Sequence, residues 1–334
     1  MKVLRPGLLT TVQDLGRAGY QRYGIGLGGA MDLFALRAAN QLVGNPETAA
    51  ALEITLTGPS LEFEHDVMIA IGGADLSPTV DQQPLPLPQW RPSHLRGGTV
   101  LRFGQPLNGC RAYLAIAGGI DVPEVLGGRG THLRARFGGF EGRNLRAGDV
   151  VGIGRPSPSI ERWMRKFPIS EALVTSAEWS VSQAALPPYG PDVTVRFIPG
   201  GCFDWLTAGS RERLLSTPFL ITPDSDRMGY RLKGNKLDLR ASLDPISEPV
   251  CAGTIQLPPE GQPVVLMADC QTTGGYPRIA HVISVDLPLL AQLKPGDQVR
   301  FSAVTLDEAQ QLRSDHQRDW ERLAQGIAWR LAST

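Results

Sequence analysis

Short β-branched and apolar runs recur along the chain: LEITLT from Leu52, VMIAI from Val67, RAYLAIAG from Arg111, VTVRFI from Val193 and PVVLMAD from Pro263. Glycine, proline and polar turns cut them at lengths that predict strands. Three stretches carry helical spacing instead. AMDLFALRAANQLVG puts Met31, Ala35, Ala38 and Leu42 on one face and stops at Gly44, after which Asn45 and Pro46 predict the start of a second short helix over PETAAAL. IERWMRKF from Ile160 predicts another. Near the end, Thr305 and Glu308 stand at capping-box spacing before a polar helix carrying Leu312, Trp320 and Leu323.

One segment occurs three times: LRGGTVLRFG from Leu95, LRAGDVVGIG from Leu145 and LKPGDQVRFS from Leu293. Each copy offers leucine, a basic residue, a glycine able to take positive φ at a turn, and an alternating strand. A second echo pairs DLGRAGYQRYG from Asp14 with DRMGYRLKG from Asp226. The fold class expected is therefore mainly β with a few helices, arranged as two related β-barrel domains. RPSPS from Arg155 and LPPYGP from Leu186 frame an irregular stretch. This gives expected boundaries of 1–155 for the first domain with inserted helices, 156–191 for a linker, 192–303 for the second barrel and 304–334 for a terminal helix.

The 334 residues are 42% hydrophobic and 20% charged, enough for two buried cores. Lys plus Arg and Asp plus Glu both number 33, so no net basic field exists to gather nucleic acid or acidic lipid. The start MKVLRPGLLTTVQDL has no apolar core of signal-peptide length, and no run approaches the ~18 apolar residues of a membrane span. The four cysteines have neither disulfide-framework nor zinc-ribbon spacing. A cytoplasmic protein with reduced thiols is expected, with no nucleic-acid or membrane partner.

Several motifs exclude chemistry. GIGLGGA from Gly24 matches the dinucleotide fingerprint but follows the polar QDLGRAGYQRY rather than a buried strand. No phosphate loop ending in Gly-Lys-Ser or Gly-Lys-Thr and no Gly-x-Ser-x-Gly elbow occurs. The five histidines never reach metal-ligand spacing, so no metal site is expected.

DCQTTGGYPR, from Asp269 to Arg278, differs. It gathers a carboxylate, a side-chain amide, two hydroxyls, a phenol and an arginine around two glycines directly after an apolar run. Gln271 can donate to a carbonyl and accept from an N–H of a planar amide, beside Thr272, Thr273, Gly274 and Gly275. SDRMGYRL from Ser225 adds Asp226, Arg227, Tyr230 and Arg231, and its echo adds Asp14, Arg17 and Tyr20 from the first domain. For each ion-pairing residue, the competing reading is a structural pair.

QDLGRAGY, GGAMDLFALRAANQLVGN with LEITLTGP, GGFEGR from Gly138, SDRMGYRL and GTIQLPPEGQPVVLMADCQTTGGYPRIA from Gly253 together resemble the family of the 5-oxoprolinase C subunit. That family is also called allophanate hydrolase subunit 2 and is similar to the carboxyltransferase domain of urea carboxylase. The sequence departs from its pattern at Gly128 and Gly130, where serines are expected, and at PGGCFDW from Pro199.

The resemblance implies a cyclophilin-like second barrel and, as obligate partner, the B subunit of the enzyme. It also implies the A subunit in the full complex and ATP-dependent opening of the 5-oxo-L-proline lactam to L-glutamate, leaving open which of the three binds ATP. A small cyclic amide is then the substrate. Asp226, Asp269 and Tyr276 are the catalytic candidates; Arg227, Arg231 and Arg278 are the candidates for the substrate carboxylate, with Tyr230 beside them. The alternatives are a biotin-dependent carboxyltransferase or allophanate-hydrolase type of component acting on urea or a related amide, and a non-enzymatic regulatory partner of a kinase inhibitor.

Overall fold

The computed structural model describes residues 1–81, 86–167, 172–241 and 245–333, which form two compact units. The first comprises Met1–Gly16, Asp32–Pro187 and Asp319–Thr334; the second comprises Arg17–Met31 and Pro188–Arg318.

The first unit holds a six-stranded sheet and a four-stranded sheet on one apolar core. In the larger sheet the strand Asn108–Ile116 lies between Val67–Asp75 and Ala51–Thr55, all antiparallel. Alternation aims Leu52, Ile54, Leu114 and Ile116 into the core, where Leu61, Phe63 and Leu101 of the smaller sheet meet them. Glu53 and Tyr113 point to the opposite face, and the Tyr113 hydroxyl donates to Glu53 at 2.7 Å. Burial, with the Glu53 and Asp32 carboxylates adding to it, raises the Tyr113 phenol well above its ordinary range. The helix Leu33–Leu42 is capped by Asp32, whose carboxylate accepts from Ala35 N, and buries Ala35, Leu36, Ala38 and Ala39.

The second unit contains a closed seven-stranded barrel. Around it run Asp192–Pro199, Arg278–Val282, Thr254–Gln256, Val264–Leu266, Gly229–Lys233, Phe219–Ile221 and Gln298–Ala303, the last closing in parallel on the first. Phe197, Phe219, Ile255, Val265, Ile279 and Phe301 fill it.

The thrice-repeated segment makes one turn three times. Thr99 N, Asp149 N and Asp297 N donate to the carbonyls three residues earlier, Arg96, Arg146 and Lys294. Gly98, Gly148 and Gly296 take φ of +84°, +91° and +94° at the third turn position, where a side chain is disfavoured. In two copies the aspartate closing the turn also accepts from the first turn amide, Arg146 to Asp149 and Lys294 to Asp297.

The structure corrects three expectations. PETAAAL is no helix: Ala49 N donates to Pro46 O in a turn, and Ala51–Thr55 is a buried strand paired on both edges. Pairing inside the sheet overrides the helical preference of its alanines. The segment expected as a linker belongs to the first unit. Pro158–Lys166 is a helix capped by Ser157 with Trp163 buried, and Val174–Ser176 extends the six-stranded sheet along Ser93–Leu95. Residues 17–31, assigned to the first domain from sequence, belong to the second unit.

The terminal helix Leu306–Ser333 begins with the expected capping box, Thr305 N to Glu308 Oε2 at 2.7 Å and Glu308 N to Thr305 Oγ1 at 3.2 Å. Its Trp320 packs edge-on against Phe34 and donates Nε1 to Glu47. Among the described residues no helix is long and apolar enough to cross a membrane.

Candidate functional site

The sequence echo is a local device used twice. Asp14 Oδ1 accepts from Gly16 N at 2.9 Å, and Asp226 Oδ1 accepts from Met228 N at 2.8 Å and Gly229 N at 3.1 Å. An aspartate bonded to the amide two residues on makes a tight corner. The arginine that follows each, Arg17 and Arg227, is buried. The echo ends there: Tyr20 precedes a short 3-10 turn, whereas Tyr230 lies in the barrel core and donates its hydroxyl to Leu293 O. Tyr230, expected at the ligand, is thus placed as a core residue, because strand alternation turns it inward and Arg231 outward.

Arg227 holds Asp269 with two bonds, Nε to Oδ2 at 2.7 Å and Nη2 to Oδ1 at 2.9 Å, and also donates Nη2 to Gly29 O at 2.6 Å. Asp269 N returns a bond to Arg227 O. The segment 17–31 wraps this corner through Gly28 N to Ala268 O and Arg17 N to Leu27 O. A Cβ at Gly26 would lie 2.7 Å from Cys270 O; one at Gly28 would lie 3.4 Å from Arg17 Nη1 and 3.6 Å from Asp269 Oδ1. These glycines therefore permit close backbone approach within the protein. The Gly24–Gly29 loop does not fit a dinucleotide phosphate, since its Gly28 amide and the neighbouring Arg227 are engaged internally. Both Asp269 oxygens are likewise engaged, so the expected proton acceptor is placed as an anchor for the loop.

Beyond the anchor the loop turns outward. Gln271, Thr273, Gly275 and Tyr276 are exposed, and Thr272 is half-buried. Thr273–Gly274 pairs with Glu248–Pro249 in a two-stranded ribbon, extended by Val250 N donating to Thr272 O. Arg278 ties the ribbon down by an ion pair with Glu248 and a 3.3 Å bond to Pro249 O. Arg227, Asp269 and residues 271–278 thus form one assembly in the second unit, as do Arg17 and the glycine loop. Asp226 is exposed at the adjoining corner, Tyr20 lies in the same unit, and Asp14 belongs to the first unit, where it also accepts from Arg129 N.

Reading the sequence alone overlooks Gln256, which is buried beside the ribbon: a Cβ at Gly274 would stand 2.5 Å from its Nε2 and 3.4 Å from Gln271 Nε2. The available signal is a glutamine between two strand apolar residues, Ile255 and Leu257. Nearby, burial pushes the Cys270 thiol up to about 12, with Cys251 and Asp269 adding to the shift. Burial also lowers His281, whose Nδ1 lies 3.5 Å from Thr254 Oγ1. Among the described residues no group of three or more His, Cys, Asp or Glu side chains is placed to hold a metal.

Residues 23–303 match the family described as carboxyltransferase domain, subdomain A and B. The chain is 39% identical to the 5-oxoprolinase C subunit of Escherichia coli K12 over 331 residues, covering 99% of this chain and 98% of that one. It is 37% identical to the 5-oxoprolinase C subunit of Haemophilus influenzae, covering 91% of each. Among solved structures, Kluyveromyces lactis urea amidolyase superposes with a TM-score of 0.85 at 31% identity, covering 96% of this chain and 20% of that larger one. The chain therefore belongs to the family of the 5-oxoprolinase C subunit, built as a carboxyltransferase domain of subdomains A and B.

Proposed function

We propose that this chain is the C subunit of an ATP-dependent 5-oxoprolinase that opens the lactam of 5-oxo-L-proline to L-glutamate together with the A and B subunits. The observation that carries this reading is the likeness to two proteins named as 5-oxoprolinase C subunits, end to end in one case. The loop supplies a chemical reason. Asp269, fixed by Arg227, anchors a stretch carrying groups that read a planar amide: the exposed Gln271 and Thr273 side chains, the half-buried Thr272 hydroxyl, and the Gly274–Gly275 backbone.

The 5-oxoproline carboxylate asks for a cation. Arg227 can serve it only by releasing the buried Asp269, which is strongly unfavourable. Arg278 is held by Glu248 at the surface, where an ion pair is worth little and exchanges readily. Arg278 is assigned to the substrate carboxylate, and the half-exposed Tyr276 to donation toward developing negative charge on the carbonyl oxygen. ATP supplies the driving force when bound to the complex; the residues of this chain position the amide.

Purified chain alone is expected to release no glutamate from 5-oxoproline and ATP, and addition of the A and B subunits to restore release. Equal activity from those two without this chain defeats the reading. The likeness to urea amidolyase favours a second reading, carboxyl transfer from biotin to urea. Avidin-sensitive consumption of urea by the assembled complex, without glutamate formation from 5-oxoproline, would select it.

A further inference from the structure

Gln256 ends the strand Thr254–Gln256, and its neighbours Ile255 and Leu257 face the barrel core. Strand alternation aims Gln256 to the other side. The pairing slips here: Ile255 stands opposite Ala280 and Gln256 opposite Arg278, leaving Ile279 as the extra residue of a bulge. Bulges re-aim side chains and gather beside sites.

Gln256 is only 2% exposed, yet among the described residues its Nε2 finds no hydrogen-bond acceptor. A buried N–H without an acceptor is unfavourable, and a methionine of the same shape would remove the penalty. Packing alone therefore gives no reason for an amide. What lies against that nitrogen is Gly274, with the Gln271 amide approaching the same glycine. The covering ribbon has two residue pairs, Glu248 with Gly274 and Pro249 with Thr273, and is tied down by Arg278, the cross-strand partner of Gln256.

We propose that the Gln256 side-chain amide is a specificity-determining donor to the carbonyl oxygen of the cyclic amide substrate. It becomes accessible when the substrate carboxylate draws Arg278 from Glu248 and the Thr273–Gly274 ribbon lifts. Gln271 then takes the neighbouring N–H through its amide oxygen. This assignment rests on the amide-reading role given to the loop above.

The test compares complexes of the A and B subunits with wild-type chain, Gln256→Met and Gln256→Glu. Gln256→Met is expected to melt at or above the wild-type temperature while its KM for 5-oxoproline rises about tenfold, with the KM for ATP unchanged. Gln256→Glu, which offers acceptors where a donor is needed, is expected to be worse than Gln256→Met. Values for both variants within about twofold of wild type overturn the proposal.

A second measurement separates this proposal from the 5-oxoprolinase reading: ligand-observed NMR with 5-oxo-L-proline and with urea, on the full chain bound to the B subunit. Binding of either probe by wild type and of neither by Gln256→Met supports the donor role. Equal binding by both proteins, or no binding of either probe to wild type, overturns it. Failure of the wild-type complex to form glutamate removes the 5-oxoprolinase reading alone and leaves the NMR result to decide on Gln256.

Discussion

Arg227 and Asp269 stand 42 residues apart and meet as a buried, two-pronged ion pair, the guanidinium extending to Gly29 O as well. Removing one member leaves the other charged and buried. Asp269→Asn is expected to destabilise the protein by about 3–5 kcal/mol. Its denaturation midpoint should fall well below that of a Glu248→Gln control, whose surface pair is worth about 0–1 kcal/mol. Equal midpoints for the two variants would show that the pair does not anchor the loop.

Gly26 takes no unusual φ, so its requirement is contact alone. Gly26→Ala sets a methyl 2.7 Å from Cys270 O and is expected to cost about 1–3 kcal/mol by overpacking. Because Cys270 directly follows Asp269, the anchor of the loop proposed to read the amide, the KM for 5-oxoproline in the assembled complex should rise as well. Kinetics with an unaltered KM would separate the glycine segment from the loop.

Tyr230→Phe removes the hydroxyl that donates to Leu293 O inside the barrel. A stability loss of about 0.5–1.5 kcal/mol is expected, with KM unchanged. A selective rise in KM would return Tyr230 to the ligand.

His281 is held below its ordinary pKa by burial. Its unfolded form, titrating near 6.5, binds the proton more readily than the folded form, so this contribution to stability is complete above about pH 6.5 and is lost as pH falls toward the folded value. The midpoint should drop between about pH 7.5 and 5.5, and His281→Gln should shrink that drop. Burial lowers His94 too, against the opposing Asp66 carboxylate, so His94→Gln should shrink the remainder.

Cys251 is exposed, whereas Cys270 is buried with its thiol pushed up to about 12. Thiolate is the reacting species in alkylation. Brief iodoacetamide treatment near pH 8 followed by peptide mass spectrometry should find Cys251 modified and Cys270 intact until the protein is denatured. Equal modification would place Cys270 at the surface.

Local chemistry was legible from the chain because it is decided over a few residues. The glycines of the repeated turn and the capping box at Thr305 depend on φ and on hydrogen bonds within three positions. So did the polar loop after PVVLMA, since a strand leaving a core announces where the core ends. Where the loop residues sit was decided by partners far away in sequence. Arg227 and Asp269 read equally well as ligand groups or as a structural pair, and only the barrel, bringing residues 42 apart into contact, selects the pair. Segment 17–31 could not be assigned to the second unit from sequence, because its docking uses Gly28 N and Gly29 O, which carry no side-chain signature, and Met31, which helical spacing places equally well on the face of the helix that follows. Gln256 left only the faint signal of a polar residue between Ile255 and Leu257: that its amide has no acceptor among the described residues becomes visible only when the fold sets Gly274 against it.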